Sequence, residues 1–235
     1  MNLFVVDNID MNIITLPPEE SKHCVKVLRM TAGEELFVTD GNGTLCRCQI
    51  LSPDARACAV EVVERTEEYG KRRQRLHIAI APTKNTARLE WFIEKAVEIG
   101  IDEITPILCD HSERMVLKTE RLDKIVVSAM KQSLKAYKPI VNEPVKMVDF
   151  LDIEHPGTSM ICYCEGDQRV SMNQVYNGNE DALVLIGPEG DFSPREIEKA
   201  LARGYHPVTL GTCRLRTETA ALYSTVAANF IIDNQ

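Results

Sequence analysis

The chain has 235 residues, of which 44% are hydrophobic and 26% charged, and its formal net charge is −8. These values are typical of one large or two small globular domains, and they exclude a disordered chain, a collagen and a coiled-coil rod. The apolar runs are shorter than the ~20 residues that a membrane helix needs, and the sequence starts without a basic secretory leader, so we expect a cytoplasmic protein that does not engage a membrane.

The first part of the chain, residues 1–65, has a strand-rich pattern. The turn signal Gly41-Asn42-Gly43 separates two strand-like runs and predicts a hairpin. Strands with one short helix indicate a small barrel, and the polar segment 65–75 with Gly70 marks a boundary between domains 1–70 and 71–235. The predicted elements are strands at 36–40, 45–51 and 57–63, and a helix at 19–28 after Pro17-Pro18.

From residue 76 onward, apolar strand-like runs alternate with helical patterns. Leu89, Phe92, Ile93, Ala96 and Val97 have the spacing of one helical stripe, which Gly100 ends. This alternation predicts an α/β domain with a parallel sheet covered by helices on both faces. Strands are predicted at 76–81, 103–108, 159–164, 182–186 and 207–210, and further helices around 122–129, after the capping box Ser193-Pro194-Arg195-Glu196, and from Thr217.

The eight cysteines are scattered, and we interpret them as reduced thiols. Cys46/Cys48 and Cys162/Cys164 are C-x-C pairs within strand-like runs, so we expect each pair to point to one face and to pack there. Zinc sites usually need C-x₂₋₄-C spacing twice, and we therefore predict no metal site.

Two glycine-containing loops follow predicted strands, at residues 187–193 and 210–220. Ligands of open α/β sheets bind beyond the carboxyl ends of the strands, and glycine lets the backbone approach a ligand closely. For either loop alone, an ordinary tight turn before a helix is the simpler interpretation. The chain has no G-x-G-x-x-G after its first strand, and it has no phosphate-binding P-loop motif.

The charges are unevenly distributed along the chain. Residues 1–70 have a net charge of −6, residues 71–139 of +5 and residues 140–235 of −7. The acidic total argues against indiscriminate binding of nucleic acid, while the basic middle allows a local patch for a polyanion. On charge alone, solvated helix faces are the simpler interpretation.

Taken together, the two loops resemble the ribosomal RNA small subunit methyltransferase E family of the SPOUT class. The resemblance rests on Gly-Pro-Glu-Gly-Asp-Phe-Ser at 187–193 and Leu-Arg-Thr-Glu-Thr-Ala at 215–220, with further similarity at 23–29 and 95–100. It implies a small PUA-like β-barrel followed by a SPOUT α/β domain with a trefoil knot. Asp191, Cys213 and Lys131 depart from the family's usual glycine, arginine and glutamate.

The resemblance also implies an activity, the methylation of N3 of a uridine in 16S ribosomal RNA of the small subunit by a homodimer. S-adenosylmethionine would be the methyl donor. Arg216 is our candidate for stabilising charge on the base, and Glu189, Glu218 or water for accepting the N3 proton. The implied cofactor-binding residues are Glu165, Gly187, Pro188, Glu189, Gly190, Leu210, Gly211, Leu215, Arg216 and Thr217.

We expect RNA contacts from the N-terminal barrel and the basic middle segment. Two alternatives stay open: a SPOUT enzyme that acts on another RNA, and a non-catalytic RNA-binding or ribosome-assembly factor. The acidic total favours recognition of a ribosomal subunit by shape, with few phosphate contacts. The candidate RNA-binding residues are His23, Lys26, Arg29, Lys84, Arg88, Arg114, Lys131 and Lys135.

Overall fold

The computed structural model describes residues 2–113, 115–164, 166 and 168–235. The chain forms two compact units. Unit 1 contains the chain up to Lys71 together with Val127–Lys138, and unit 2 contains Arg72–Val126 and Pro139–Gln235. No helix in the described residues is both long and apolar enough to cross a membrane.

Unit 1 is built on a five-stranded sheet with the order β1-β3-β4-β5-β2. The predicted hairpin is confirmed, since β3 pairs antiparallel with β4 from Glu35↔Gln49 to Thr39↔Leu45. Alternation turns Cys46 and Cys48 into the core, where both are fully buried, as predicted. The strands are β1 Leu3–Val5, β2 Ile13–Thr15, β3 Glu35–Thr39, β4 Leu45–Ser52 and β5 Ala59–Thr66.

The helix predicted at 19–28 is divided into two geometries. Helix α1, Pro18–Lys22, continues into the π-helical turn His23–Val27, in which the amide of Leu28 donates to the carbonyl of His23 at 2.9 Å. The positive φ of Arg29, 56°, ends the segment. Residues 127–138 also join unit 1, where the amide of Gly43 donates to the carbonyl of Ala136 at 2.9 Å.

Unit 2 contains the predicted parallel sheet, with the order β11-β13-β10-β12-β6-β7-β8, and β9 pairs with β7 beside this path. All of these pairings are parallel, so the carboxyl ends of the strands lie at one edge. The strands are β6 Leu76–Ile80, β7 Glu103–Leu108, β8 Ile140–Val141, β9 Val145–Lys146, β10 Thr158–Cys162, β11 Val170–Ser171, β12 Ala182–Ile186 and β13 His206–Thr209.

Helices cover both faces of this sheet, as predicted. α2 and α6 pack together and α6 lies on β6 and β12, with the Asn229 side chain donating to the carbonyl of Gly100 at 2.8 Å. α4 and α5 pack with the opposite residues of the strands, including Leu183 and Leu185. The helices are α2 Thr86–Ile99, α3 Thr119–Ser133, α4 Met147–Phe150, α5 Pro194–Ala202 and α6 Thr217–Asp233, and Met172–Gln174 forms a 3₁₀ turn.

A polar cluster lies within unit 2 between β6 and β7. The imidazole Nε2 of His77 is 2.7 Å from the hydroxyl of Thr105, and Asn142 donates to both Thr105 and Glu103 at 2.7 Å. The Thr105 hydroxyl, which accepts from Asn142, can donate its own proton to His77. Burial lowers the pKa of His77 to about 4, because a charged imidazolium would lose its hydration there.

Candidate functional site

The loops that follow β6, β7, β10, β12 and β13 converge at the carboxyl edge of the unit 2 sheet. The loop after β12 begins with the buried Gly187 and Pro188 and continues through the exposed Glu189 and Gly190. A Cβ on Gly187 would lie 3.1 Å from two atoms of the Phe192 ring, so this glycine allows the ring to close over the backbone.

His111, in the loop after β7, holds the far side of the 187–193 loop. Its Nδ1 lies 3.1 Å from the carbonyl of Gly190 and 3.0 Å from the carbonyl of Asp191, and it donates to them when protonated at that nitrogen. A Cβ on Gly190 would stand 3.2 Å from the Cβ of His111, so the close approach favours a residue without a side chain. The loops after β7 and β12 are thereby connected.

The predicted capping box of Ser193 and Glu196 is confirmed, and it provides a second connection between these loops. The Ser193 hydroxyl donates to the Asp110 carboxylate at 2.6 Å and accepts from the amide of Glu196 at 3.3 Å. The buried carboxylate of Glu196 accepts from the amides of Ser193 at 2.8 Å and Asp110 at 2.9 Å. This network fixes the start of α5 against the loop after β7.

The loop after β10 contacts the 187–193 loop through Asp191. One Asp191 carboxylate oxygen accepts from the amide of Cys164 at 2.7 Å, and the other accepts from the amide of Phe192 at 2.8 Å. Arg169 donates to the carbonyl of Tyr163 at 2.8 Å. The expectation that Cys164 packs is wrong, because β10 ends at Cys162 and the thiol beyond it is exposed.

The loop after β13 presents open backbone. Gly211 has a φ of +108°, and a Cβ built there would have no neighbour within 4 Å in the part of the chain that the structure describes. Leu210 and Leu215 are half-buried, whereas Thr217 is buried as the first residue of α6. Arg216 precedes α6 and is exposed, and within the described residues its guanidinium has neither a hydrogen-bond partner nor an ion-pair partner. A guanidinium in this position can reach a ligand at the edge.

Glu218 lies in the first turn of α6 and is 7% exposed. One carboxylate oxygen, Oε1, is 3.7 Å from Nε of Arg88, while the other, Oε2, is buried and has no hydrogen-bond partner among the described residues. Leaving a buried charged oxygen unpaired is unfavourable, so the site suits a ligand that brings a donor or a positive charge. This orphaned oxygen and the open backbone of Gly211 are features of a binding site.

Glu189 and Lys84 connect the loops after β12 and β6. Oε1 of Glu189 accepts from the Lys84 amide at 3.2 Å, while the Lys84 ammonium pairs with Glu113 at 2.8 Å. The ion pair is exposed, and the Glu113 carboxylate raises the pKa of Lys84. A cavity of about 380 Å³ lies here, lined by Lys84, Glu113, Met115 and Val116.

Unit 1 holds five of the predicted RNA-binding residues. His23, Lys26 and Arg29 belong to one short segment, the π-helical turn and the residues directly after it. Lys131, in contrast, forms an ion pair with Glu20 at 2.7 Å and lies 5.5 Å above the Phe4 ring, so it is engaged inside the unit. Lys135 is half-buried.

Lys84 and Arg88 are placed in unit 2, and the remaining predicted residues, Glu165 and Arg114, lie outside the described residues. Asp110, His111 and Arg169 were not among the predicted site residues, and Asp191 was singled out only as a departure from the family's usual glycine. The signal that was available for Asp110 and His111 is their position directly after a predicted strand end.

The comparisons with known proteins agree with this architecture. The model of the RNA methyltransferase domain matches residues 71–229, and that of the RNA methyltransferase PUA domain matches residues 16–63. The expected fold, a PUA-like N-terminal unit before an α/β methyltransferase domain, is therefore confirmed.

Three relatives span nearly the whole chain. A probable rRNA-methyltransferase from Porphyromonas gingivalis, known from a crystal structure, is 41% identical, with a TM-score of 0.92 and coverage of 100% of this chain and 99% of that chain. Ribosomal RNA small subunit methyltransferase E from Aquifex aeolicus is 28% identical over 94% of this chain and 96% of its own. The Neisseria gonorrhoeae enzyme of that name, crystallised with S-adenosyl methionine, is 23% identical with a TM-score of 0.86, covers 98% of both chains and shares the fold.

Proposed function

Because this chain belongs to the family of RNA methyltransferases that carry a PUA domain, we propose that it methylates N3 of a uridine in 16S ribosomal RNA. S-adenosylmethionine is the proposed methyl donor. The observation that carries this proposal is the convergence of both glycine loops, Arg216 and Glu218 at one sheet edge of unit 2. Further support comes from the name of the Aquifex relative and from the ligand of the gonococcal structure.

The residues at the edge fit the proposed cofactor. The backbone around Gly187 to Gly190 and Leu210 to Thr217 provides amides and carbonyls without intervening side chains at the glycines. The unpartnered Oε2 of Glu218 suits a cationic group, and S-adenosylmethionine carries two, an ammonium and a sulfonium. When bound, S-adenosylmethionine supplies an electrophilic methyl group.

The chain's own residues must align N3 with this methyl group and stabilise the charge that spreads over the base. Arg216 is the proposed residue for charge stabilisation, since an exposed guanidinium offers several donors in one plane toward O2 and O4. Its position directly before α6 places the cation beside the loop that follows β13. Holding the reacting atoms together contributes to the rate independently of this charge effect.

Two carboxylates are candidates for accepting the N3 proton, and their surroundings differ. Glu189 is exposed and shares its Oε1 with the amide of Lys84, so it can contact a substrate that arrives from solvent. Glu218 is buried beside Arg88, which suits it to a ligand enclosed by the loops. We therefore assign proton acceptance to Glu189 and cofactor contact to Glu218, with water as the alternative acceptor.

We assign RNA recognition to domain 1–70 and methyl transfer to domain 71–235. The two matched family models, at 16–63 and 71–229, support this division. His23, Lys26 and Arg29 are the proposed contacts of the first domain, because they are grouped on one segment and two of them are exposed. Lys84, Arg88, Arg114 and Lys135 remain proposed contacts, whereas the ion pair with Glu20 makes Lys131 the weakest candidate.

A homodimer in the cytoplasm is part of the proposal. Tyr223, Val226 and Phe230 have the spacing i, i+3, i+7 on α6 and are exposed to 51%, 47% and 68%. Three large apolar side chains in a row on a helix suit an interface between copies. Light scattering during gel filtration should give twice the chain mass of 26.4 kDa for the protein, and one chain mass for Phe230→Glu.

The test of the activity is methyl transfer from labelled S-adenosylmethionine to small ribosomal subunits, followed by mass spectrometry of the nucleosides. We expect N3-methyluridine from a single site in 16S RNA. Arg216→Ala should lose at least 100-fold in rate while keeping its fold, as expected for one removed charge-stabilising donor. A 2′-O-methylated nucleoside or a modified transfer RNA would instead support the other RNA substrates.

The matched control is Arg203→Ala. Arg203 is an exposed arginine at the end of α5, remote from the carboxyl edge, and it pairs with Asp152 at 2.5 Å. This variant should methylate like the unaltered protein. Calorimetry separates the remaining alternative, since an assembly factor without catalysis would give no heat with S-adenosylmethionine. Turnover of Arg216→Ala close to that of the control would remove Arg216 from the mechanism.

A further inference from the structure

The peptide group between Tyr163 and Cys164 is held on both sides by charged side chains of opposite sign. Arg169 donates to its carbonyl, that of Tyr163, at 2.8 Å. Asp191 accepts from its amide, that of Cys164, at 2.7 Å. Hydrogen bonds to charged groups are the stronger kind, and two of them on one peptide plane fix its rotation.

Each of the two charged residues makes a second contact that holds it in place. Arg169 also donates through Nε to the carbonyl of Gly166 at 2.8 Å, and its guanidinium lies 5.8 Å from the centre of the Tyr163 ring. The other carboxylate oxygen of Asp191 accepts from the amide of Phe192 at 2.8 Å. The loop after β10 is thus tied to the loop after β12 by one aspartate.

The backbone of Asp191 has a conformation that is unfavourable for a residue with a side chain. Its φ is +64°, in the left-handed region that glycine adopts freely and most other residues avoid. His111 Nδ1 lies 3.0 Å from the carbonyl of Asp191, so the backbone is held from the loop after β7 as well. The carboxylate joins the loop after β10 to the loop after β12, a connection that a glycine would lack, whereas the contact with His111 uses the backbone.

We propose that Asp191 and Arg169 are positioning residues, which hold the Tyr163–Cys164 peptide in its orientation before S-adenosylmethionine binds. This inference rests on the proposed function. Neither side chain needs to touch the reacting atoms. Their contribution is preorganisation, because a loop that is already ordered loses less conformational entropy on binding.

The test compares Asp191→Gly with Glu68→Gly. Glu68 is a matched control because it is also a non-glycine residue with positive φ, 52°, but it lies in unit 1 and is exposed. Both variants relieve backbone strain, and only the first removes the hydrogen bonds to Cys164 and Phe192. Calorimetry should give about a tenfold higher Kd for S-adenosylmethionine with Asp191→Gly and an unchanged Kd with Glu68→Gly.

Steady-state kinetics separates positioning from a general loss of structure. For Asp191→Gly we expect KM for S-adenosylmethionine to rise about tenfold, with kcat at saturation within about twofold of the unaltered enzyme. Arg169→Met removes the hydrogen bond to the carbonyl of Tyr163 and leaves the strained residue Asp191 unchanged, so it should shift KM in the same direction. It also keeps the test decisive if Asp191→Gly does not fold.

The outcomes distinguish this inference from the proposed function. An unaltered protein that binds S-adenosylmethionine, together with a Kd for Asp191→Gly and Arg169→Met within twofold of it, would overturn the positioning role alone. Absence of binding by the unaltered protein would overturn the proposed function and this inference with it. A fall in kcat at constant KM would also contradict preorganisation, since it would place these residues in the chemical step.

Discussion

Mild acid should destabilise unit 2 because His77 is buried in its neutral form. The side chain is 12% exposed, and its pKa is about 4 in the folded chain against about 6.5 in an unfolded one. Between these values the unfolded chain binds the proton more readily, so stability falls as the pH drops. The linkage relation gives a loss of about 2 kcal/mol between pH 7 and pH 5.

The assay is urea unfolding followed by tryptophan fluorescence at pH 7, 6 and 5. Trp91 is the only tryptophan of the chain and lies on α2 in unit 2, so its signal reports on the unit that contains His77. Other groups also titrate in this range, and His77→Asn provides the reference for them. We expect the unfolding free energy of the unaltered protein to fall more steeply with acid than that of the variant.

His155 needs a separate control. It packs on the Phe150 ring with a centroid distance of 4.5 Å, and burial lowers its pKa too, so it contributes with the same sign. The double variant His77→Asn/His155→Asn should lose a further part of the slope. If His77→Asn and the unaltered protein show parallel pH dependences, the argument that His77 is buried in a neutral state is refuted.

Three further predictions concern the site. Ser193→Ala removes the side-chain cap of α5, so the amide of Glu196 loses its acceptor and the Asp110 carboxylate loses the Ser193 hydroxyl as a donor. It should destabilise the chain by about 2 kcal/mol, seen as a lower midpoint in thermal unfolding; an unchanged midpoint would contradict this account. Gly187→Ala places a Cβ against Phe192 and should weaken S-adenosylmethionine binding several-fold in calorimetry. An affinity equal to that of the unaltered protein would contradict the need for glycine at this position. Binding to small subunits should depend gently on salt, and a steep slope would indicate many phosphate contacts.

The elements with a strong periodic or capping signal were predictable from the sequence. The stripe from Leu89 to Val97 lies on α2, and all five residues of the stripe are buried. The capping box at Ser193 marks the start of α5, as its hydrogen bonds confirm. Both signals are local, since they depend on residues within one or two helical turns, and local rules are sufficient to identify them.

Elements that depend on distant partners were not predictable. β1, β8 and β11 are two or three residues long, which is too short for a recognisable alternation of apolar and polar residues. Pairing with neighbouring strands stabilises them. The assignment of Val127–Lys138 to unit 1 has no local signal either, because it depends on bonds such as the one from the Gly43 amide to the Ala136 carbonyl. Strand order is a property of the folded chain, and the trefoil knot stays a prediction.

The candidate site shows the same division. Strand ends and glycines predicted which loops lie at the edge, because a parallel sheet places them there irrespective of their sequence. The contacts between loops follow from the strand order and not from spacing: Asp191 meets Cys164 because β12 and β10 are neighbours, and His111 reaches Gly190 from the loop after β7. No spacing in the sequence indicates that Asp191 and Arg169 hold the same peptide group.

The basic middle segment illustrates why charge counts alone do not locate an RNA surface. Residues 71–139 have a net charge of +5, but each cation there whose ion pair is described meets an acid of the same unit. Within the described residues these positive charges are therefore paired and not collected in one patch. These pairs neutralise the cations without burying them deeply, and an arriving phosphate must compete with a carboxylate for each one. When most cations already pair with carboxylates, binding of RNA releases few counterions and gains little free energy from their release. This favours recognition by shape and gives the gentle salt dependence predicted above. The described pairs are Lys71–Glu68, Arg72–Asp102, Arg75–Glu103, Lys84–Glu113, Arg88–Glu218, Lys95–Glu94, Lys95–Glu98, Arg121–Glu90 and Lys131–Glu20.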